Sequence, residues 1–414
     1  MKKSLFVSIL ALFLLRSTNI FAQDYDALFA RYYSYGNEGD KSAQYNLGKM
    51  YELGRGVNQN FEKAREWYEK AAKQDHINAQ YSLASLYESG LGTSQSYVNA
   101  KNWYSKAADT GLAKAQYKLG LVYQYAKGVE RNYEKAKEWY QRAAKQGFAG
   151  AQYQLAFLYQ YGLATKKDYT QAREWYEKAA NQGVKGAQYQ LGFFFQQGLG
   201  IEKDNAQALK WYKQAAEQGH VEAQYNLAFF YDKGLDTKQD YKLALEWYSK
   251  AASQGHELAQ TNLGVLYHYG NGVDQDYVQA KNWYTNAANQ GVEEAQNNLG
   301  YLYQYGQGTE VNYKLAREWY LKASDQGYVE AQYNLGVLYD KGLGVEQDYE
   351  KARVWYTKAA DQGDKDAQYN LGYLYQYGQG VEQNYEKARY RYSQAAEQGD
   401  EDAKKSLELI KDKV

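Results

Sequence analysis

The apolar residues of this chain return at spacings of four and three, the repeat of one helix face. In the stretch opening at Ala331, that residue, Leu335 and Leu338 form such a stripe, and Gly342 and Gly344 stand where the helix must stop. Asp348 follows, a residue type whose side-chain oxygen accepts from the free N–H groups of a helix's first turn. Tyr349, Ala352, Trp355, Tyr356 and Ala359 then give a second apolar face, ended by Gly363. The pattern predicts two helices joined by tight turns.

That pair is a repeating unit. Trp67, Trp103, Trp139, Trp175, Trp211, Trp247, Trp283, Trp319 and Trp355 are each 36 residues apart, and Ala recurs at the same period from Ala43 and Ala79 to Ala367. Ten full units therefore fill residues 43–402 without insertion or deletion. Every unit carries Asp, Asn or Ser at the capping place, as at Asn60, Ser96, Asn132, Asp168 and Asn384. Glycines equivalent to Gly363 recur at Gly111, Gly147, Gly219 and Gly399. One unit cannot bury its own apolar face, so neighbouring units must stack. Small Ala and Gly would let the helices approach closely, and each interior Trp is expected between the helices of its own and adjoining units.

The ends read as caps. Residues 23–42 hold a lone second helix, with Tyr25, Tyr32 and Gly39 in register. Residues 403–414 hold a last first helix studded with Lys404, Lys405 and Glu408, and in the tenth unit Arg391 replaces the Trp.

The signature A-x-x-x-L-G-x-x-Y-x-x-G-x-G-V, followed by D-Y-x-K-A-x-x-W-Y-x-K-A-A-x-x-G, resembles the Sel1-like repeat, a relative of the tetratricopeptide repeat. The resemblance covers nearly the whole chain beyond residue 22. It implies an all-α, right-handed superhelical solenoid of ten 36-residue helix–turn–helix repeats with terminal capping helices, whose first helices line the concave side. It also implies an adaptor that binds protein or peptide partners, in bacteria often an exported one that meets envelope or host proteins. Ala126, Ala164 and Asp236 depart from the pattern at turn glycines, and Asp75 at a helix-stop glycine.

Composition fits uninterrupted helices, since the chain has no Pro, a residue that removes a helix hydrogen bond. It has no Cys either, which removes disulfides and Cys-based metal sites. Lys+Arg and Asp+Glu are balanced at 49 each, leaving no global field to attract nucleic acid. Lys2 and Lys3, the apolar run Leu5 to Leu15 and Ala22 before Gln23 read as a secretory signal peptide over residues 1–22. That run is shorter than the roughly 20 residues of a membrane span. The expected localisation is exported, periplasmic or secreted from a bacterium.

Candidate chemistry is sparse. His76, His220 and His256 share one repeat position and read as turn residues; with His268 they form no metal-ligand spacing. Carboxylates recur as helix-surface pairs such as Glu66 with Lys70. The G-x-G pairs follow helices rather than strands, so they are no dinucleotide motif. Beyond the signal peptide there is no S-x-x-K, S-D-N or K-T-G of the serine β-lactamases. No catalytic residue, cofactor or metal is assigned. The competing function is an envelope enzyme or a peptidoglycan or carbohydrate binder, for which a tyrosine ladder would stack sugars.

Counting from the opening Ala as position 1, positions 3, 7 and 10 of the first helix lie opposite its core stripe. Position 3 carries Tyr117, Tyr153, Tyr189, Tyr225, Tyr333 and Tyr369, besides Tyr45 and Tyr81. Position 7 carries Leu121, Phe157, Phe193, Phe229, Tyr301 and Tyr373, besides Val265 and Val337. Position 10 is always polar, as in Gln124, Gln160, Gln196, Asp232 and Gln304, and beside it at position 11 stand Tyr125, Tyr161, Tyr269, Tyr305 and Tyr377. A concave ladder of rigid aromatics with polar handles is the expected protein-binding site. Packing between neighbouring first helices is the competing role, foremost for position 3.

Overall fold

The computed structural model describes residues 25–413. The expected signal peptide lies outside the described residues. The chain divides between Asp204 and Asn205 into two compact units. Among the described residues every regular element is an α-helix, and no helix is long and apolar enough to cross a membrane.

Residues 25–37 form a helix ahead of the array. Each repeat then supplies a first and a second helix, as in Val329–Lys341 and Tyr349–Asp361. Within a unit each helix packs on those before and after it in sequence, and the first helices of successive repeats touch, as Val329–Lys341 and Lys365–Tyr377 do. This is an all-α solenoid. Glu401–Leu409 is the final helix, and behind it Ile410 is buried against the last repeat.

The turns follow the residue types. Gly342 ends its helix at φ 66° with its N–H on the Leu338 carbonyl. Asp75, Ala126, Ala164 and Asp236 stand in for such glycines and take the same left-handed conformation, at φ 60°, 57°, 58° and 48°. Asp348 Oδ1 accepts from the Lys351 N–H at 2.9 Å, the cap its position calls for. His76, His220 and His256 do likewise for first helices, with Nδ1 accepting from the N–H of Ala79, Ala223 and Ala259.

The core differs from the sequence reading in its centre. The Tyr after each Trp, from Tyr68 through Tyr212 to Tyr356, and Tyr392 after Arg391, is the largest fully buried side chain of its repeat. Its ring fills space left by a small residue of the partner helix: a Cβ on Gly336 would stand 2.4 Å from Tyr356 Cδ1. The Trp residues lie nearer the edge. Trp67, Trp211 and Trp247 are buried, and the other six are half-buried, Trp103 packing against the cores on both sides of it. Lys358 Nζ covers the Trp355 ring at 4.0 Å, and Lys70 covers Trp67 at 3.9 Å. No salt bridge joins Lys70 to Glu66, but the equivalent Glu246–Lys250 pair closes at 2.6 Å while Lys250 also covers Trp247, and Arg65–Glu69 adds a further pair at 3.2 Å.

A buried glutamine at position 2 ties the repeats together. Gln116 Nε2 donates to the Ala108 carbonyl of the preceding repeat at 3.2 Å, while its Oε1 accepts from Gln146 Nε2 at 2.8 Å. The same linkage recurs at Gln152, Gln224, Gln260 and Gln368. In the second repeat Thr110 replaces the donor, and Gln80 Oε1 is buried without a partner.

Candidate protein-binding surface

A first helix in a stacked array has two packing faces, not one. Ala331, Leu335 and Leu338 form the first; Gly336 and Asp340, four residues apart, form a second that meets Tyr356. Position 10 belongs to this second face, so the expectation that it lies opposite the core is corrected. Gln124, Gln160, Gln304 and Gln376 are buried and accept from the hydroxyls of Tyr140, Tyr176, Tyr320 and Tyr392 at 2.6 to 2.8 Å. Asp232 and Asp340 do the same for Tyr248 and Tyr356. Only carriers of an acceptor suit this place, which is why it is always polar.

What remains open to solvent is the stripe through positions 36, 3, 7 and 11. Position 11 stands furthest out: Tyr125, Tyr161, Tyr269, Tyr305 and Tyr377 are 53% to 65% exposed. Tyr301 and Tyr373 at position 7 are exposed too and pair with Tyr305 and Tyr377, ring centroids 4.4 Å apart. Phe157 pairs with Tyr161 at 4.5 Å.

The other ladder residues are half-buried. Tyr117, Tyr153, Tyr225, Tyr333 and Tyr369 lean on the buried tyrosine of their own repeat, at centroid distances of 5.5 to 6.1 Å. Leu121 and Phe157 pack against the core between the third and fourth repeats, and Phe229 stacks on Tyr225. Tyr189 and Phe193 are likewise half-buried. The structure thus separates the ladder into an outer rank of exposed tyrosines and an inner rank shared with the core.

Charge differs around the first helices of the two units. In the first unit Lys118 and Lys127 bond Glu88 at 2.9 and 3.0 Å; burial alone would raise this carboxyl, but these bonds and that from Tyr104 hold it down at about 2. In the second unit burial raises Glu294 above the usual carboxylate range, and Glu293 and Glu330 push it the same way. Asp364 is raised by burial, with Asp366 and Glu330 adding to it. Among the described residues no group of three or more His, Asp or Glu is placed to hold a metal ion. The sequence reading put Tyr356 on the packing face but not at its centre, and it missed the position-2 glutamine, though both recur at the 36-residue period.

The Sel1 repeat matches ten segments: 41–76, 77–112, 113–148, 149–184, 186–220, 221–256, 258–292, 293–328, 329–364 and 365–400. Among solved structures the chain is similar to a protective antigen of uropathogenic Escherichia coli strains that displays an SLR fold. The two are 36% identical with a TM-score of 0.89, over 92% of this chain and 82% of that one. It is also similar to a Sel1 repeat protein from Oxalobacter formigenes, at 32% identity and a TM-score of 0.58, over 75% of this chain and 89% of that one. No curated protein sequence matches it. With Sel1 repeats tiling residues 41–400 and two Sel1-type structures above 30% identity, the chain belongs to the Sel1 repeat family.

Proposed function

We propose that this chain is an exported scaffold that holds a protein or peptide partner against the exposed stripe of its first helices. Sel1 repeat proteins are generally protein–protein interaction scaffolds. The observation that carries the reading is the outer rank of tyrosines, rigid apolar rings with hydroxyl handles left facing solvent on one helix stripe. The signal-peptide pattern over residues 1–22 supports export, as does the likeness to an antigen of pathogenic strains.

Site-specific photocrosslinking in the producing cell tests both parts. A benzophenone side chain at Tyr125, Tyr161, Tyr305 or Tyr377 is expected to give discrete protein adducts. The same group at Val98, Val278 or Val354, exposed apolar residues of second helices, is expected to give none. Adducts confined to the second-helix sites would overturn the placement, and protein adducts at no site would overturn the scaffold reading. The purified extracytoplasmic chain is expected to begin near Gln23; an intact Met1 there would overturn the cleavage, and absence of the chain from that fraction would overturn export.

A further inference from the structure

In the second unit the open stripe carries acid next to aromatic rings. Asp366, Tyr369, Tyr373 and Tyr377 occupy successive positions of one helix face, and Glu294, Tyr301 and Tyr305 repeat the order two repeats earlier. The first unit shows what such a ring accepts. There Lys114 occupies position 36, and its Nζ lies 4.3 Å above the ring centroid of Tyr81, the position-3 tyrosine of the same repeat. In the ninth repeat the residue in that place beside Tyr333 is Asp366. The ammonium has been replaced by a carboxylate, and the ring is left without a cation.

The carboxylates themselves are not closed by a cation. Among the described residues Glu293, Glu294, Glu330 and Asp366 form no salt bridge, although Glu294 is partly buried and flanked by two other acids. The two lysines on this stripe bond other acids: Lys233 pairs with Asp232 at 3.0 Å and offsets the charge around Glu294 only in part, and Lys341 lies beside Asp340. Partly buried like charges without a counterion are unfavourable in the free protein, and an incoming cation relieves them.

We propose that the first-helix stripe of the second unit is a docking site for a Lys/Arg-rich segment of a protein partner, whose cationic heads lie between Glu294, Glu330 and Asp366 and over Tyr333 and Tyr369. The inference rests on the scaffold reading above and gives its partner a chemistry. A carboxylate beside an aromatic face suits an ammonium or guanidinium, since both the charge and the ring quadrupole attract it. Packed neighbouring first helices lie roughly 10 Å apart and an extended chain advances about 3.3 Å per residue. A basic residue at about every third position would therefore meet successive repeats. The first unit, whose own Lys114 already covers Tyr81, offers no such vacancy there.

Fluorescence anisotropy with the full chain tests this, using three labelled peptides of about 12 residues, enough to cross about four first helices at the spacings above. One carries Arg or Lys at every third position, one carries Glu there, and one carries Pro there. The basic peptide is expected to bind, more weakly as salt rises, and the other two to bind at least tenfold more weakly. A Glu294→Gln, Glu330→Gln, Asp366→Asn variant is expected to lose at least tenfold in affinity for the basic peptide. Lys49→Gln with Lys114→Gln is expected to change it less than twofold. Unchanged far-ultraviolet circular dichroism establishes that the triple variant folds, and these exposed or half-exposed isosteric changes leave the core untouched. Equal binding of the Glu or Pro peptide, no binding of the basic one, or a triple variant within twofold of the parent would each overturn the proposal. In those cases partner adducts at Tyr305 and Tyr377 would still stand as support for the scaffold reading, so the two fail separately.

Discussion

The hydroxyl of each buried second-helix tyrosine needs an acceptor, and position 10 of the first helix supplies it in most repeats: Gln304 for Tyr320 at 2.8 Å, Glu88 for Tyr104 at 2.8 Å, Asp340 for Tyr356 at 3.2 Å. The seventh repeat places His268 there instead. Its Nδ1 is buried without a partner, and burial pushes its pKa below the ordinary histidine value. The unfolded chain therefore takes up a proton at about pH 6.5 that the folded chain refuses until lower pH. Stability from this site is complete above that value and falls away as the pH drops below it. Replacing His268 with Gln restores the acceptor found in the neighbouring repeats and removes the titration. The variant is expected to be more stable by about 1 kcal/mol at pH 7.5, and by more at pH 5.5. Urea unfolding at the two pH values checks it; a gap that does not widen on acidification would contradict the role given to the imidazole.

At the level of the helix, what could be read in advance was what is local. Caps such as Asp348, stops such as Gly342 and the 36-residue period all act within a few residues or repeat visibly, and they placed every helix pair. The faces were harder. A single stripe of Ala331, Leu335 and Leu338 looks sufficient for one helix on one neighbour, whereas a stacked helix also turns Gly336 and the half-buried Asp340 toward a second one. Glycine and aspartate carry no hydrophobic signal, so this second face was invisible to periodicity. The conspicuous Trp drew attention from the Tyr beside it for the same reason: rarity marks a residue in sequence, and depth does not. Depth decides the energetics. Tyr356→Ala leaves a ring-sized cavity between two helices and is expected to cost about 3–5 kcal/mol. Trp355→Ala removes a larger side chain that is only half-buried and covered on one side by Lys358, and is expected to cost less. Hydrogen exchange over residues 329–361 measures both, and a Trp355 variant that loosens this pair more than the Tyr356 variant would contradict the ranking.

Across an array, a repeat interacts with its neighbours only, and stability is close to a sum of repeat and interface terms. The linkages here have that form. Gln368 Nε2 reaches the Ala360 carbonyl one repeat back at 3.2 Å, and Gln332 Oε1 accepts from Gln362 of its own repeat at 2.7 Å. Excision of residues 331–366 brings Ala367 directly behind Glu330. The residue seven places before Ala367 in the shortened chain is then Ser324, which stands where Ala360 stood, so Gln368 meets an equivalent carbonyl. First and second helices still alternate, and each buried tyrosine keeps the acceptor of its own repeat. Removing residues 331–348 is different: it deletes one first helix, sets Tyr320 and Tyr356 on adjoining second helices, and strips Tyr356 of Asp340 and of the space above Gly336. The full-repeat deletion is therefore expected to keep the helicity per residue of the parent, with a modestly lower unfolding midpoint from one lost interface. The half-repeat deletion is expected to lose helicity and to unfold without a single cooperative transition. Circular dichroism followed through a urea titration separates the two. Equal damage from both deletions would show that the stability of the array does not reside in its repeat-to-repeat contacts.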